Sequence, residues 1–168
     1  DDEKLYYLGF LLEQWRGTFF RQAMFAEYEL QVHEAFADGT PLSGARLSEM
    51  YGDILKRYHG HDEGVLTIDP TFHIEWAYIP HFYRNFYVYQ YATSITAGAA
   101  FAEKILAGDT QARDAYLNML RAGGSDDPHA LLVAAGGDMT TAAPYEAVFR
   151  KLNGVMDQIE AILDNQEQ

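Results

Sequence analysis

The sequence predicts an all-α fold of about six to seven helices. Apolar residues recur at intervals of three and four along most of the chain, which is the period of an amphipathic helix. Glycine and proline clusters divide that pattern into helix-length segments, and at most one short stretch has the composition of a strand. Since 168 residues suit one domain, we expect a single helical domain over residues 1–168.

Two apolar rows predict the first helices. The row over 3–16 consists of Leu5, Leu8, Leu11, Leu12 and Trp15. A row at intervals of four from Phe20 to Phe36 predicts a helix over 19–37 that ends at Asp38-Gly39. Because Gly17-Thr18 separates the rows, they form either one kinked helix or two helices, the second capped by Thr18.

The middle of the chain is less regular. A helix is predicted over 45–58, and His59-Gly60-His61 ends it because glycine favours helix C-termini. The segment Val65–Ile68 has the composition of a short strand. Asp69-Pro70 then begins a turn or a short helix, which Pro80 closes.

Four further helices complete the chain. A long helix is predicted over 82–107, before Gly108, and Asp109 caps the next, which runs to about Arg121. Asp127-Pro128 opens a short helix, since aspartate is a favoured cap and proline a favoured first residue. The last amphipathic helix runs from Pro144 to about Leu163.

Composition excludes several classes of function. With no cysteine, the chain cannot form a disulfide framework, a zinc-thiolate site or a thiol nucleophile. A net charge of -13 disfavours binding to nucleic acid or to an anionic membrane surface. No apolar run reaches the roughly 20 residues that span a bilayer, and the acidic N-terminus does not resemble a signal peptide. We therefore expect a soluble cytoplasmic protein.

Metal-binding motifs are incomplete in this sequence. His33-Glu34 begins an H-E-x-x-H pattern, but Ala37 stands where the second histidine would be. The segment from His59 to Glu63 carries metal-capable groups, and we interpret it as a solvated polar loop. A metal-storage role for His59 and His61 is the weakest of the alternatives that stay open.

The segment from Trp76 to Tyr91 is the most unusual in the chain. It holds five tyrosines, two phenylalanines and one histidine in sixteen residues. On a helix, Tyr83, Tyr87 and Tyr91 would form one row. A buried tyrosine hydroxyl needs a hydrogen-bond partner, so the segment is either a cleft wall that donates to a substrate oxyanion or an aromatic helix in a large core.

Three motifs carry a resemblance to a known family. The run Phe20–Glu29 (FRQAMFAEYE) resembles the FRQxMFAEFE signature of the oligoendopeptidase F family. The run Ile79–Ala92 (IPHFYRNFYVYQYA) is similar to that family's IPHFYxxFYVYxYA segment. The loop Ala135–Met139 (AGGDM) resembles its AGxDM loop, and the three motifs occur in the family's order.

The resemblance implies a zinc metallopeptidase related to thimet oligopeptidase. Such enzymes are largely helical and enclose a channel, so this chain would be half of a channel-type metallopeptidase fold, the C-terminal part of the catalytic region. The zinc ligands and the catalytic glutamate of H-E-x-x-H would lie before Asp1. No residue of this chain is therefore assigned to the metal.

The resemblance also assigns residues to the substrate. His81 and Tyr87, followed by Tyr83 and Tyr89, would bind the peptide and stabilise the oxyanion, whereas Tyr91 is assigned to packing. Glu27, Glu29 and His33 lie on the other matching helix. Glu29 and His33 share a face of that helix. Either they are structural, as a surface pair or as buried polar support, or they support the site.

The predicted parent enzyme hydrolyses internal bonds of short peptides, and the isolated chain is predicted to be inactive. Its expected partners are short peptides and the missing N-terminal part of the same enzyme. Self-association through exposed apolar surface is also expected. The alternative hypothesis is a non-catalytic helical module that binds peptides without cleaving them.

Overall fold

The computed structural model describes residues 1–166, and their regular structure is entirely helical. The α-helices are α1 (Asp2–Trp15), α2 (Arg21–Ala37), α3 (Gly44–Tyr58), α4 (Tyr89–Leu106), α5 (Thr110–Ala122), α6 (Pro128–Ala134) and α7 (Ala143–Gln166). A π-helical turn, Arg16–Phe20, joins α1 to α2, and 3-10 helices cover Pro70–Tyr78 and Pro80–Tyr83. The prediction of an all-α fold with six to seven helices is confirmed. Within the described part of the chain, no helix is long and apolar enough to cross a membrane.

The residues contact one another mainly within two compact units. The central unit consists of Gly17–Ala92, and the terminal unit consists of Asp1–Arg16 together with Thr93–Gln168. The central unit therefore contains the whole of the aromatic segment Trp76–Tyr91.

Side-chain caps begin several helices as the sequence predicts. A carboxylate oxygen of Asp109 accepts the backbone N–H of Ala112 at 2.9 Å. Asp127 accepts the N–H groups of His129 and Ala130, with Pro128 as the first helical residue. These bonds satisfy donors that a helix N-terminus otherwise leaves unpaired, so α5 and α6 begin where the aspartates stand.

The core of the central unit is made of large side chains from α2 and α3 with contributions from the loops. Its buried members are Met24, Phe25, Tyr28, Met50, Tyr51, Ile54, Leu55, Ile68 and Val88. A polar link joins three elements at its edge, because Tyr51 donates its hydroxyl to Glu75 at 2.6 Å and Arg21 pairs with the same carboxylate. Burial raises the pKa of the Tyr51 hydroxyl well above its ordinary value, so it stays a donor.

The 3-10 helix Pro70–Tyr78 packs closely on α3. The indole N–H of Trp76 donates to the Ser48 hydroxyl at 3.0 Å. The His73 ring lies against Gly52, where an added Cβ would stand 2.6 Å from its Nδ1 atom. Only glycine at position 52 allows this approach, so the aromatic segment starts from a fixed base.

The terminal unit packs smaller side chains. One buried cluster consists of Ala97, Phe101 and Ala135, and α7 adds buried residues such as Val148 and Val155. Trp15 is also buried, with 7% of its surface exposed. Arg150 of α7 donates to both carboxylate oxygens of Glu103 of α4, at 2.8 and 2.9 Å.

Three local predictions are wrong. The helix predicted over 82–107 begins only at Tyr89, because Pro80 opens a separate 3-10 turn and Phe86 has a positive φ of 55°. Val65–Ile68 forms no strand, since no second strand pairs with it among the described residues. Thr18 caps no helix, because the π-helical turn carries the helical backbone through that position.

A candidate site of histidine and tyrosine

His81, Tyr87 and Tyr91 form one contiguous group, which we call the His81 cluster. The rings of His81 and Tyr87 are stacked, with centroids 5.5 Å apart and planes 9° from parallel. The Tyr91 hydroxyl donates to the Tyr87 oxygen at 3.3 Å and lies 3.4 Å from His81 Nε2. All three side chains are half-buried.

The backbone between Pro80 and α4 explains why these rings meet. Pro80 fixes the first residue of a 3-10 turn that carries His81, and the Arg84 N–H closes it on the His81 carbonyl at 3.0 Å. The chain then reverses through Phe86, and Tyr91 follows Tyr87 by one turn. A turn followed by a helix start brings together residues that a single helix would hold apart.

The hydrogen bond between the two tyrosines affects the Tyr91 hydroxyl. Donation to Tyr87 raises the pKa of the Tyr91 hydroxyl, and the charge of Arg84 lowers it by a smaller amount. Tyr91 therefore stays protonated at neutral pH and donates a hydrogen bond to the Tyr87 oxygen. Because a tyrosine hydroxyl has one proton and two lone pairs, Tyr87 still has its own proton to donate elsewhere.

The structure separates the four predicted site residues. His81 and Tyr87 lie together, whereas Tyr83 and Tyr89 are 83% and 47% exposed. The predicted helical row of Tyr83, Tyr87 and Tyr91 does not form, because the first two precede α4. Tyr91, which the sequence assigned to packing, contacts both other members of the cluster.

Glu29 and His33 of α2 reach the loop that precedes Tyr87. Glu29 is 4% exposed, and its Oε1 accepts the backbone N–H of Phe86 at 2.7 Å. The ring centroid of His33 lies 4.6 Å from that of Phe86, at an angle of 37°. Their spacing by one helical turn was the visible signal, but the partner 57 residues away from Glu29 could not be identified from it.

Glu27 points to different partners. It forms an ion pair with Arg57, and it accepts the Tyr58 hydroxyl at 3.0 Å. Both partners lie at the C-terminal end of α3. The two glutamates of the motif thus have separate roles, since Glu27 joins two helices and Glu29 holds the loop beside the His81 cluster.

A small cavity of about 200 Å³ lies in the central unit. Its lining residues are Tyr28, Glu29, Val32, His33, Leu47, Trp76, Ile79, Phe82 and Tyr83. The walls are mostly aromatic and aliphatic, with Glu29 and His33 as the polar groups. Such a lining suits one apolar side chain of a ligand.

The described residues contain no group of three or more metal-ligating side chains. His61 uses its Nδ1 to accept the Ile68 N–H at 2.9 Å, and His59 Nδ1 lies 2.8 Å from the Leu55 carbonyl. In both histidines of the polar loop, Nδ1 thus contacts a nearby backbone group. Residues 1–166 therefore do not by themselves supply the ligand set of a zinc site.

Comparisons with known proteins agree with the motifs. Residues 3–151 match Peptidase family M3. The chain is 42% identical over 165 residues to "Oligopeptidase PepF" of Bacillus subtilis (strain 168), covering 97% of this chain and 24% of that protein. It is 38% identical over 164 residues to "Oligoendopeptidase F, plasmid" of Lactococcus lactis subsp. cremoris, covering 98% and 27%.

A solved structure is also similar. The crystal structure of oligoendopeptidase-F from Enterococcus faecium superposes with a TM-score of 0.90 and 38% sequence identity, over 96% of this chain and 30% of that one. The chain thus spans about a quarter of the length of the curated relatives it matches.

Proposed function

Because this chain belongs to Peptidase family M3, we propose that it is the C-terminal part of a zinc-dependent oligoendopeptidase that hydrolyses internal bonds of short peptides. The names of its relatives support the reaction class. The His81 cluster is the observation that carries the proposal for this chain, since it gathers polar donors in an accessible position.

The cluster is proposed to stabilise the oxyanion that forms when water attacks the peptide carbonyl. Tyr87 donates a hydrogen bond to the carbonyl oxygen, while its own oxygen accepts a hydrogen bond from Tyr91. A hydroxyl that accepts one hydrogen bond becomes a stronger donor of its own proton. His81, which stacks on Tyr87, would bind the same oxygen or the neighbouring peptide group.

The remaining parts of the proposal concern what lies outside these residues. Zinc would be held by the rest of the polypeptide, which would also be the main partner of this chain. Short peptides would be the substrates, in the cytoplasm, with neither nucleic acid nor membrane as a partner. The relatives are about four times as long as this chain, which supports assigning the zinc ligands to the rest of the polypeptide.

Two substitutions in the complete peptidase test the proposal. His81→Ala and Tyr87→Phe should each lower kcat by about 100- to 1,000-fold, the usual loss of one oxyanion donor, with a smaller change in KM. Tyr145→Phe in the terminal unit is the matched control, since that hydroxyl donates to the Met139 carbonyl at 3.2 Å. Unchanged turnover in both variants would reject the assigned roles, and a complete protein that cleaves no peptide would reject the reaction.

The 168-residue chain alone is predicted to be inactive. The physical reason is that its described residues offer no metal site. Turnover of a fluorogenic peptide by metal-loaded, protease-free chain would contradict this prediction.

A peptide-binding module without catalysis is the second candidate. The aromatic cavity favours it, because such a pocket can hold a peptide side chain whether or not a bond is cleaved. Equilibrium binding of a short peptide to the complete natural polypeptide, with the peptide recovered intact, would support this candidate over the first.

A further inference from the structure

We propose that Glu29 is a positioning residue, which holds Phe86 in a left-handed backbone conformation and thereby places the Tyr87 hydroxyl for catalysis. This inference rests on the proposed function of the His81 cluster. It concerns a residue that lies on a different element from the cluster and reaches it through the backbone of one loop residue.

The first step is the conformation of Phe86. Its φ of 55° is the only positive value for a non-glycine residue in the described part of the chain. A bulky side chain is disfavoured in this region, because its Cβ crowds the following carbonyl. Such a conformation persists only where surrounding contacts enforce it, so Phe86 must be held from outside the loop.

The second step is the contact that holds it. Glu29 is 4% exposed and its carboxylate accepts the Phe86 N–H at 2.7 Å. Burying a carboxylate is unfavourable unless it is hydrogen-bonded, so loss of the bond to the Phe86 N–H would be costly. Its helix neighbours Phe25 and Tyr28 are 3% exposed each, which anchors this stretch of α2 in the core.

The third step is a second contact from the same helix face. His33 follows Glu29 by one turn, and its ring packs on the ring of Phe86. The two residues of α2 therefore fix both the backbone and the side chain of Phe86. Tyr87 comes next in the chain, so rotation about the Phe86 backbone would swing Tyr87 away from His81 and Tyr91.

These contacts give Glu29 an effect on rate rather than on affinity. If Tyr87 loses its place, its hydroxyl loses the bond from Tyr91 and no longer points at the developing oxyanion. A displacement of about 1 Å in a catalytic group can cost about 100-fold in rate. Substrate binding elsewhere in the site would be affected much less.

The experiment compares three variants of the complete peptidase with the parent. Glu29→Ala should lower kcat by about 10- to 100-fold with a much smaller change in KM. Glu29→Gln should restore most of the lost turnover, because its amide oxygen can accept the same N–H. Glu27→Ala is the matched control: this glutamate lies on the same helix and is also hydrogen-bonded, but to Arg57 and Tyr58, so kcat should be retained.

Three results would overturn the proposal. They are parental kcat in Glu29→Ala, a Glu29→Gln variant as slow as Glu29→Ala, and a Glu27→Ala variant that loses as much turnover as Glu29→Ala. The last result would indicate general damage to α2 instead of a specific effect on the loop. Thermal unfolding of each variant, measured alongside, shows whether the fold is kept.

A fourth variant covers the case in which Glu29→Ala fails to fold. Glycine adopts a φ of 55° without strain, so in the Phe86→Gly background Glu29→Ala should fold and keep most of the turnover of Phe86→Gly alone. A further loss of about 10- to 100-fold in that background would overturn the proposal. If His81→Ala and Tyr87→Phe both leave an active parent unchanged, the proposed function fails and this inference falls with it. If those two variants are impaired while Glu29→Ala is fully active, Glu29 alone is rejected.

Discussion

The two compact units are packed by different kinds of side chain. The central unit buries methionines, aromatic rings and branched aliphatic residues, together with the carboxylate of Glu29. Among its described residues the terminal unit buries four alanines, at positions 97, 100, 135 and 147, beside Trp15, Phe101 and branched aliphatic residues of α7, and its Arg150–Glu103 ion pair lies on the surface. Large rigid side chains position polar groups accurately, and the His81 cluster lies in the unit that has them.

The terminal unit also leaves an apolar groove of about 610 Å³. Its lining residues include Trp15, Ile95, Gly98, Ala99, Ala102 and Leu106. Small residues keep the groove open, because they lack the side chains that would fill it. The central unit thus holds a small aromatic cavity of about 200 Å³, whereas the terminal unit has a larger groove lined in part by small residues.

The largest expected effect comes from comparing a core methionine of the central unit with a surface methionine of the terminal unit. Met24→Ala in the central unit, where the side chain is 1% exposed, should lower the free energy of unfolding by about 2–5 kcal/mol, through lost burial and a cavity. Met156→Ala in the terminal unit, where the side chain is 43% exposed, should cost much less. Hydrogen exchange followed by mass spectrometry measures each unit separately, and equal losses in the two variants would contradict the comparison.

A glycine pair gives an intermediate effect with opposite signs. Gly52→Ala should destabilise the central unit by about 1–3 kcal/mol, because its Cβ would overlap the His73 ring. Gly154→Ala on α7 meets nothing within 4 Å and should stabilise the terminal unit by about 0.5–1 kcal/mol. Urea unfolding checks both. A stable Gly52→Ala variant would show that the 3-10 helix can move off α3.

The smallest effect is electrostatic and belongs to the terminal unit. The hydrogen bonds from Arg150 hold the pKa of Glu103 below its ordinary value. The pair therefore stabilises the fold above the ordinary pKa of glutamate, about 4.3, and this contribution is lost as pH falls through the lower folded value. Glu103→Gln should remove that part of the acid dependence and some of the salt dependence, as measured by thermal unfolding between pH 3 and pH 7. An unchanged pH profile would indicate that the pair adds nothing in solution.

The helices were predictable where local chemistry decides them. Asp109 and Asp127 accept N–H groups two or three residues ahead, so the sequence alone locates α5 and α6. The start of α4 was placed seven residues too early, at 82 rather than Tyr89. Phe86 interrupts that stretch, and the glutamate that enforces its conformation lies on α2. A contact between distant positions leaves no periodicity to detect.

The same reasoning applies to the candidate site. The family motif named His81 and Tyr87, and the structure brings these two together, although their catalytic roles stay predictions. Tyr91 is assigned to packing at the sequence level, where the hydrogen bond that it donates to Tyr87 cannot be seen. Tyr83 shares the motif but is mostly exposed, since the 3-10 turn from Pro80 directs the chain differently from a helix.

The chain has two tryptophans, and each compact unit holds one of them. Trp15 is buried in the terminal unit, and Trp76 is hydrogen-bonded to Ser48 in the central unit. Each unit thus carries its own fluorophore. Trp15→Phe leaves emission from the central unit alone, and Trp76→Phe leaves it from the terminal unit alone. A pair of single-tryptophan variants can therefore show whether the scaffold around the His81 cluster unfolds with the rest of the chain or independently of it.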